Sequence, residues 1–189
     1  GFACAHNGNL TNTYSIKKQL VESGSIFQTS SDTEIILQLV ARSKKKKIID
    51  KLIDTLRQIQ GAYSLVILTN KKLIGVRDPF GIRPLVLGDK NGSPVLASET
   101  CALDMIGAKY VRDIENGEIV VITESGMESI KPFKKIAERP CIFERIYFAS
   151  PDSIVGNKTV YTYRKALGEQ LAIENNIIAD VVVPIPDSG

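Results

Sequence analysis

Asn7 and Gly8 stand side by side near the start of the chain, and together they carry the donors that acyl-transfer chemistry uses. An amide side chain and a neighbouring backbone N–H at a strand end can both face one developing oxyanion. The same dipeptide is also the commonest two-residue hairpin turn, so the pair alone leaves both uses open. Asp32 opens an apolar run in the position of a helix N-cap, where unpaired N–H groups and the helix dipole favour a carboxylate. A carboxylate held there equally suits the ammonium of an amino-acid ligand, and composition does not separate the two.

Other reactive residue types have plainer readings. His6, the single histidine, lies between apolar residues and a turn, which predicts a structural role. Cys4 sits in an apolar strand with no base nearby in sequence, the setting of an inert buried thiol. The segment Arg77-Asp78-Pro79-Phe80-Gly81-Ile82-Arg83-Pro84 is too polar and punctuated for a plain strand, and predicts a fixed turn held by ion pairs, with lining a site as the other use open to it. Pro184 to Gly189 follow an all-apolar run; a small-residue turn beyond a parallel strand exposes N–H groups suited to phosphate, and the Ser188 hydroxyl suits Mg²⁺. A bare strand-to-helix loop fits the same residues.

The elements that must position these residues follow from patterning. Phe2 to His6 predicts a strand ending in a turn at Asn7-Gly8. Helices are expected from about Thr13 to Ser23, after Ser31-Asp32-Thr33-Glu34 as a capping box, and along the stripe Ile48, Ile49, Leu52, Ile53, Leu56, Ile59. Ala62–Thr69 with Lys72–Val76, Leu85–Gly88 with Pro94–Ala97, and Glu118–Thr123 with Met127–Ile130 predict three hairpins, with a short helix near Cys101–Met105. Hairpins mean antiparallel pairing, so helices and strands are segregated in an α+β fold. A long helix from about Tyr163 to Asn175, then Asp180 to Pro184 as a buried strand, predicts the start of a second, parallel α/β domain.

Composition excludes several classes. The 189 residues are 43% hydrophobic and 24% charged, ordinary for a globular protein, and no apolar run reaches the roughly 20 residues that span a bilayer. A net charge of +3 is too mild for nucleic acid, and Lys44 to Lys47 suit a solvated link between helices. Three scattered cysteines, Cys4, Cys101 and Cys141, argue against a disulfide framework and for a reducing cytoplasmic setting. The chain opens without methionine and stops just after an apparent strand, so an internal fragment is expected.

Taken together, Ala5-His6-Asn7-Gly8-Asn9-Leu10, Thr29 to Glu34, Gly61-Ala62-Tyr63-Ser64, Arg77 to Leu85, Ala97-Ser98-Glu99, Tyr147 to Ser153 and Val183 to Ser188 resemble the amidophosphoribosyltransferase family in order and spacing. The first half alone also fits other glutamine amidotransferases, such as the glutaminase domains of asparagine synthetase or glucosamine-phosphate synthase; the last two motifs favour this family. A non-catalytic relative that keeps the fold without the nucleophile is the rival of another class. The resemblance implies an N-terminal-nucleophile hydrolase fold, a four-layer αββα sandwich over residues 1–140, followed at 141–189 by the junction and start of a phosphoribosyltransferase domain. The nucleophile would be a cysteine upstream of Gly1 with its own α-amine as base. Asn7 and Gly8 would form the oxyanion hole and Asp32 would hold the glutamine α-amino group.

Further along, the resemblance implies Mg²⁺ at Ser188 and, in members carrying a [4Fe–4S] cluster, Cys141 as one of its ligands; the alternative for Cys141 is a buried thiol behind the domain junction. Substrates would be glutamine and phosphoribosyl pyrophosphate, in a homo-oligomer, and the fragment alone would be inactive. Ser150 departs from the family pattern, which has arginine there.

Overall fold

A computed structural model describes residues 1–186. Its elements, in chain order, are β1 (Phe2–Leu10), α1 (Thr13–Glu22), α2 (Thr33–Arg42), α3 (Ile48–Leu56), β2 (Gly61–Thr69), β3 (Leu73–Arg77), β4 (Val86–Lys90), β5 (Ser93–Ala97), α4 (Thr100–Met105), β6 (Lys109–Asp113), β7 (Ile119–Thr123) and β8 (Gly126–Ile130). A π-helical turn, Glu144–Phe148, a small ribbon of β9 (Ile154–Val155) and β10 (Lys158–Thr159), and α5 (Val160–Glu174) follow.

Side-chain alternation along the strands builds four layers. β1-β2-β3-β7-β8 form one antiparallel sheet and β5-β4-β6 another. On one face of the first sheet, Leu65, Ile67, Ile74, Val76, Ile119 and Val121 pack under Ile16, Leu20, Ile35, Ile36, Leu52 and Leu56 of the three helices. The opposite face turns Val66, Val120 and Ile122 onto Leu87 and Leu96 of the second sheet. Gly75 makes room there, because a Cβ would lie 2.8 Å from Leu96 Cδ1. The outer face of the second sheet, with Val86, Val95 and Ala97, covers Leu103 of α4. Helices, sheet, sheet, helix is the αββα order that the resemblance implies.

Several expectations need correction. Asn7-Gly8 is not a turn: β1 runs through both residues to Leu10, in unbroken register with β2 (Asn7 opposite Ser64, Gly8 opposite Tyr63). The capping box does not form. Glu34 instead takes the N–H groups of Gln28 and Thr29, at 2.9 and 2.8 Å, tying down the loop before α2. Within the turn from Arg77 to Pro84, buried Asp78 accepts from the N–H groups of Phe80, Ile82 and Arg83, and the turn's ion pair, Arg83 with Glu144, reaches outward to a later segment. α5 exists, but residues 180–184 form no strand; Val181, Val182 and Val183 are 74–87% exposed, with no strand beside them among the described residues. β6 was not foreseen. Ser188 lies outside the described residues.

Candidate active site

The direction of one backbone N–H sets the polarity of the site. Thr11 N–H donates to Gln60 O at 2.8 Å, toward the strand that pairs with β1. Leu10 N–H points the other way and donates to Asp32 Oδ2 at 2.8 Å. N–H directions alternate along a strand, so Gly8 N–H leaves β1 on the same side as Leu10, the side that no strand covers. Asp32 heads α2 without capping it by its side chain; its carboxylate is spent across the gap on β1. The capping use is therefore not the one adopted.

Gly8 is required where it stands. Its φ is +154°, and a Cβ there would lie 2.0 Å from the carbonyl oxygen of Ala62. His6, on the helix side of β1, has Nδ1 3.2 Å from Thr33 Oγ1 and 3.5 Å from Asp32 Oδ1, with its side chain 2% exposed. It wedges β1 against the head of α2, beside Asp32. Cys4 lies on the same face, and burial pushes its thiol up to about 11, so at neutral pH it carries no thiolate.

Asn7 sits between these residues in sequence but faces the other way. Its Oδ1 accepts two hydrogen bonds from Arg83, from Nε at 3.1 Å and Nη2 at 2.5 Å. A guanidinium has donors only, so the amide atom meeting it must be the oxygen. The Nδ2 donors are thereby directed elsewhere, and they meet no partner among the described residues. Arg83 was not singled out from sequence. Its segment, Arg77 to Pro84, is open in sequence to lining a site, but the contact with Asn7 spans 76 positions, and no local spacing announces such a pair.

The turn that presents Arg83 is held from three directions. Asp78 takes its N–H at 3.3 Å, Arg77 Nε donates to its carbonyl at 3.0 Å, and the hydroxyl of Ser64, cross-strand partner of Asn7, donates to the carbonyls of Arg83 and Pro84. Burial outweighs those N–H bonds at Asp78 and raises its carboxyl above the ordinary range. Beyond Asn7, Arg83 Nη1 lies 2.7 Å from Glu144 Oε1, a charge contact made off the line of a hydrogen bond, and its guanidinium covers the Phe148 ring at 4.9 Å.

Nearby, Glu99 ties down the segment with the family departure: its Oε2 accepts from Ser150 N–H at 2.7 Å and Ser153 Oγ at 2.8 Å. Cys141 stands as a free thiol, and no group of three or more His, Cys, Asp or Glu gathers into a metal site among the described residues. A single thiol is one of the four ligands such a cluster takes, and no chemistry is routed through it. A cleft of about 780 Å³ lined by Arg77, Phe133, Lys135 and Glu138 includes none of Asn7, Gly8 or Asp32. No helix among the described residues is long and apolar enough to cross a membrane.

An αββα sandwich whose first strand has an open edge of N–H donors, met there by a carboxylate from the head of α2, defines a class. Residues 1–105 match the glutamine amidotransferase domain family, and the chain belongs to it. Within that family its relatives are the amidophosphoribosyltransferases. It is 52% identical over its whole length to the Rhizobium etli amidophosphoribosyltransferase and 50% identical over 98% of its length to chloroplastic amidophosphoribosyltransferase 1 of Arabidopsis thaliana. A solved structure of the B. subtilis glutamine phosphoribosylpyrophosphate amidotransferase, complexed with ADP and GMP, superposes on 99% of the chain with a TM-score of 0.94 at 44% identity. The chain spans 39% and 33% of those two relatives and 41% of that solved chain.

Proposed function

We propose that this chain is the glutaminase portion, residues 1–140, of an amidophosphoribosyltransferase, joined through 141–189 to the start of a phosphoribosyltransferase domain. The nucleophile in this reading is a cysteine preceding Gly1, with its α-amine as base. Its sulfur passes its proton to that α-amine and attacks the side-chain carbonyl carbon of glutamine, forming a C–S bond and a tetrahedral oxyanion as the C=O π bond opens. Asn7 Nδ2 and Gly8 N–H donate to that oxyanion, and Asp32 holds the substrate ammonium. Collapse breaks the C–N bond and releases ammonia with the proton held by the cysteine's α-ammonium, leaving a thioester. Water then attacks the thioester, the C–S bond breaks, and glutamate leaves as the thiol is restored. At the second site ammonia attacks C1 of phosphoribosyl pyrophosphate, the C1–O bond breaks, and pyrophosphate leaves as phosphoribosylamine forms, the first step of de novo purine synthesis.

The observation that carries this reading is the shared edge of β1. Asp32 meets it at Leu10 N–H, and Gly8 N–H opens on the same side two residues away, about 6.8 Å of strand. That spacing suits an amino acid with a carbonyl at the end of a short side chain. An ionised carboxylate has about four acceptor sites, so Asp32 keeps capacity for an ammonium after accepting from Leu10. Mg²⁺ at Ser188 would neutralise the leaving pyrophosphate. That site, a cluster ligand role for Cys141, homo-oligomeric assembly and a cytoplasmic location rest on the resemblance alone.

The test is an assay of the complete protein for glutamate and pyrophosphate release. Both products should appear together when glutamine and phosphoribosyl pyrophosphate are supplied. Glutamate without any pyrophosphate would remove the transferase half of the proposal, and release of neither product would remove the whole.

A further inference from the structure

We infer that Arg83 is a positioning residue that sets the Asn7 amide for catalysis, and that Glu144 and Phe148 make its pose depend on the junction segment. The inference rests on the glutaminase reading above and adds to it a residue and a route of control.

An asparagine amide is nearly symmetric in shape but not in chemistry. Turned over, it would present a lone-pair oxygen to an oxyanion and repel it. Something must therefore fix the flip, and the two donors of Arg83 on Oδ1 do so, because a flipped amide would set N–H against N–H. Two donors from a rigid fork also hold that oxygen in place from two directions, which a single flexible ammonium would not. The backbone of Arg83 is anchored at both N–H and carbonyl, so the freedom left lies in its side chain.

That side chain is held from the far end. Glu144 is 5% exposed and Phe148 lies under the guanidinium plane, and both belong to the π-helical turn Glu144–Phe148. The turn is tied onward: Arg164 of α5 donates to the carbonyls of Arg145 and Ala149 at 3.1 and 2.8 Å. A continuous set of contacts thus runs from α5 through the π-helical turn and Arg83 to Asn7. If the turn shifts, Arg83 loses its counter-charge and its ring together, and Asn7 loses its orientation.

The experiment is a mutant cycle in the complete protein, with glutamine hydrolysis, ammonia-dependent synthesis and thermal melting measured side by side. Arg83→Lys keeps the charge near Glu144 but not the paired donors. It should lower kcat for glutamine by about 10- to 100-fold, the scale of a misplaced catalytic group. KM for glutamine and the ammonia-dependent rate should stay within about twofold, a change too small for a lost charged contact. In an Asn7→Ala background Arg83→Lys should cost nothing further, because the amide it orients is gone. Glu144→Gln, close in shape, should give a smaller kcat loss of the same kind, and decides the matter if the lysine variant melts low. Multiplying losses in the double mutant, or ammonia-dependent activity falling in parallel with glutamine use, would overturn the inference. An unchanged kcat in an active protein would sink it alone, whereas a wild type that releases no glutamate would sink the amidotransferase reading as well.

Discussion

The carboxylate of Asp32 and the N–H of Leu10 meet at 2.8 Å across 22 positions of sequence, joining the start of α2 to the open edge of β1. Asp32→Asn separates the two uses of that carboxylate, since an amide oxygen still accepts from Leu10 while the charge is lost. KM for glutamine should rise about 10- to 100-fold with kcat little changed, matching the loss of a charge-assisted contact that is equal in ground and transition states. Steady-state kinetics check it. An unchanged KM would remove Asp32 from substrate binding.

Gly8 tolerates no side chain. In Gly8→Ala the new methyl would meet Ala62 O at 2.0 Å, backbone against backbone, at a φ of +154°. The conformational term alone costs about 1–3 kcal/mol, and β1 must move off β2 to relieve the overlap. A lower melting temperature together with lost glutamine hydrolysis is expected. Calorimetry on the variant would expose the error if the melt did not move.

Acid stability should report on Glu118. Burial alone would raise this carboxyl, but hydrogen bonds from Arg112, Glu115 N–H and Ser129 outweigh it and hold it at about 2, below the ordinary 4.5. A lowered folded value means that the stabilisation is complete above about pH 4.5 and is lost as pH falls toward 2. Denaturant melts from pH 7 to pH 3 should show that decline, and Glu118→Gln should flatten it. At pH 7 the same variant should be less stable by about 3 kcal/mol, the low end for breaking a buried pair, because Arg112 is partly open to water.

Much of this architecture is legible in the sequence because local signals mark it. The pairs flanking Asn70-Lys71, Asn91-Gly92 and Glu124-Ser125 became hairpins, where turn chemistry and apolar runs agree. The α3 stripe put Leu52 and Leu56 in the core as its period requires. β6 was missed for the opposite reason: Tyr110 and Val111 are each 52% exposed, so no buried alternation marks the strand. Asn7-Gly8 was ambiguous because turn statistics are local. What keeps β1 straight is its register against β2, from Phe2 opposite Thr69 to Leu10 opposite Gly61. Residues 180–184 have strand composition, yet a strand needs a neighbour to hydrogen-bond, and among the described residues none lies beside them. Arg83 could not be assigned to Asn7 from spacing, because only the folded turn brings them together.

The amide of Asn7 is the group on which the glutaminase proposal turns. Asn7→Ala in the complete protein should cut glutamine-dependent turnover by about 10²–10³, the usual loss for one oxyanion donor, while synthesis from free ammonia continues at the wild-type rate. Side-by-side rates with the two nitrogen sources measure this directly. Equal loss with both, or full activity with glutamine, would contradict it.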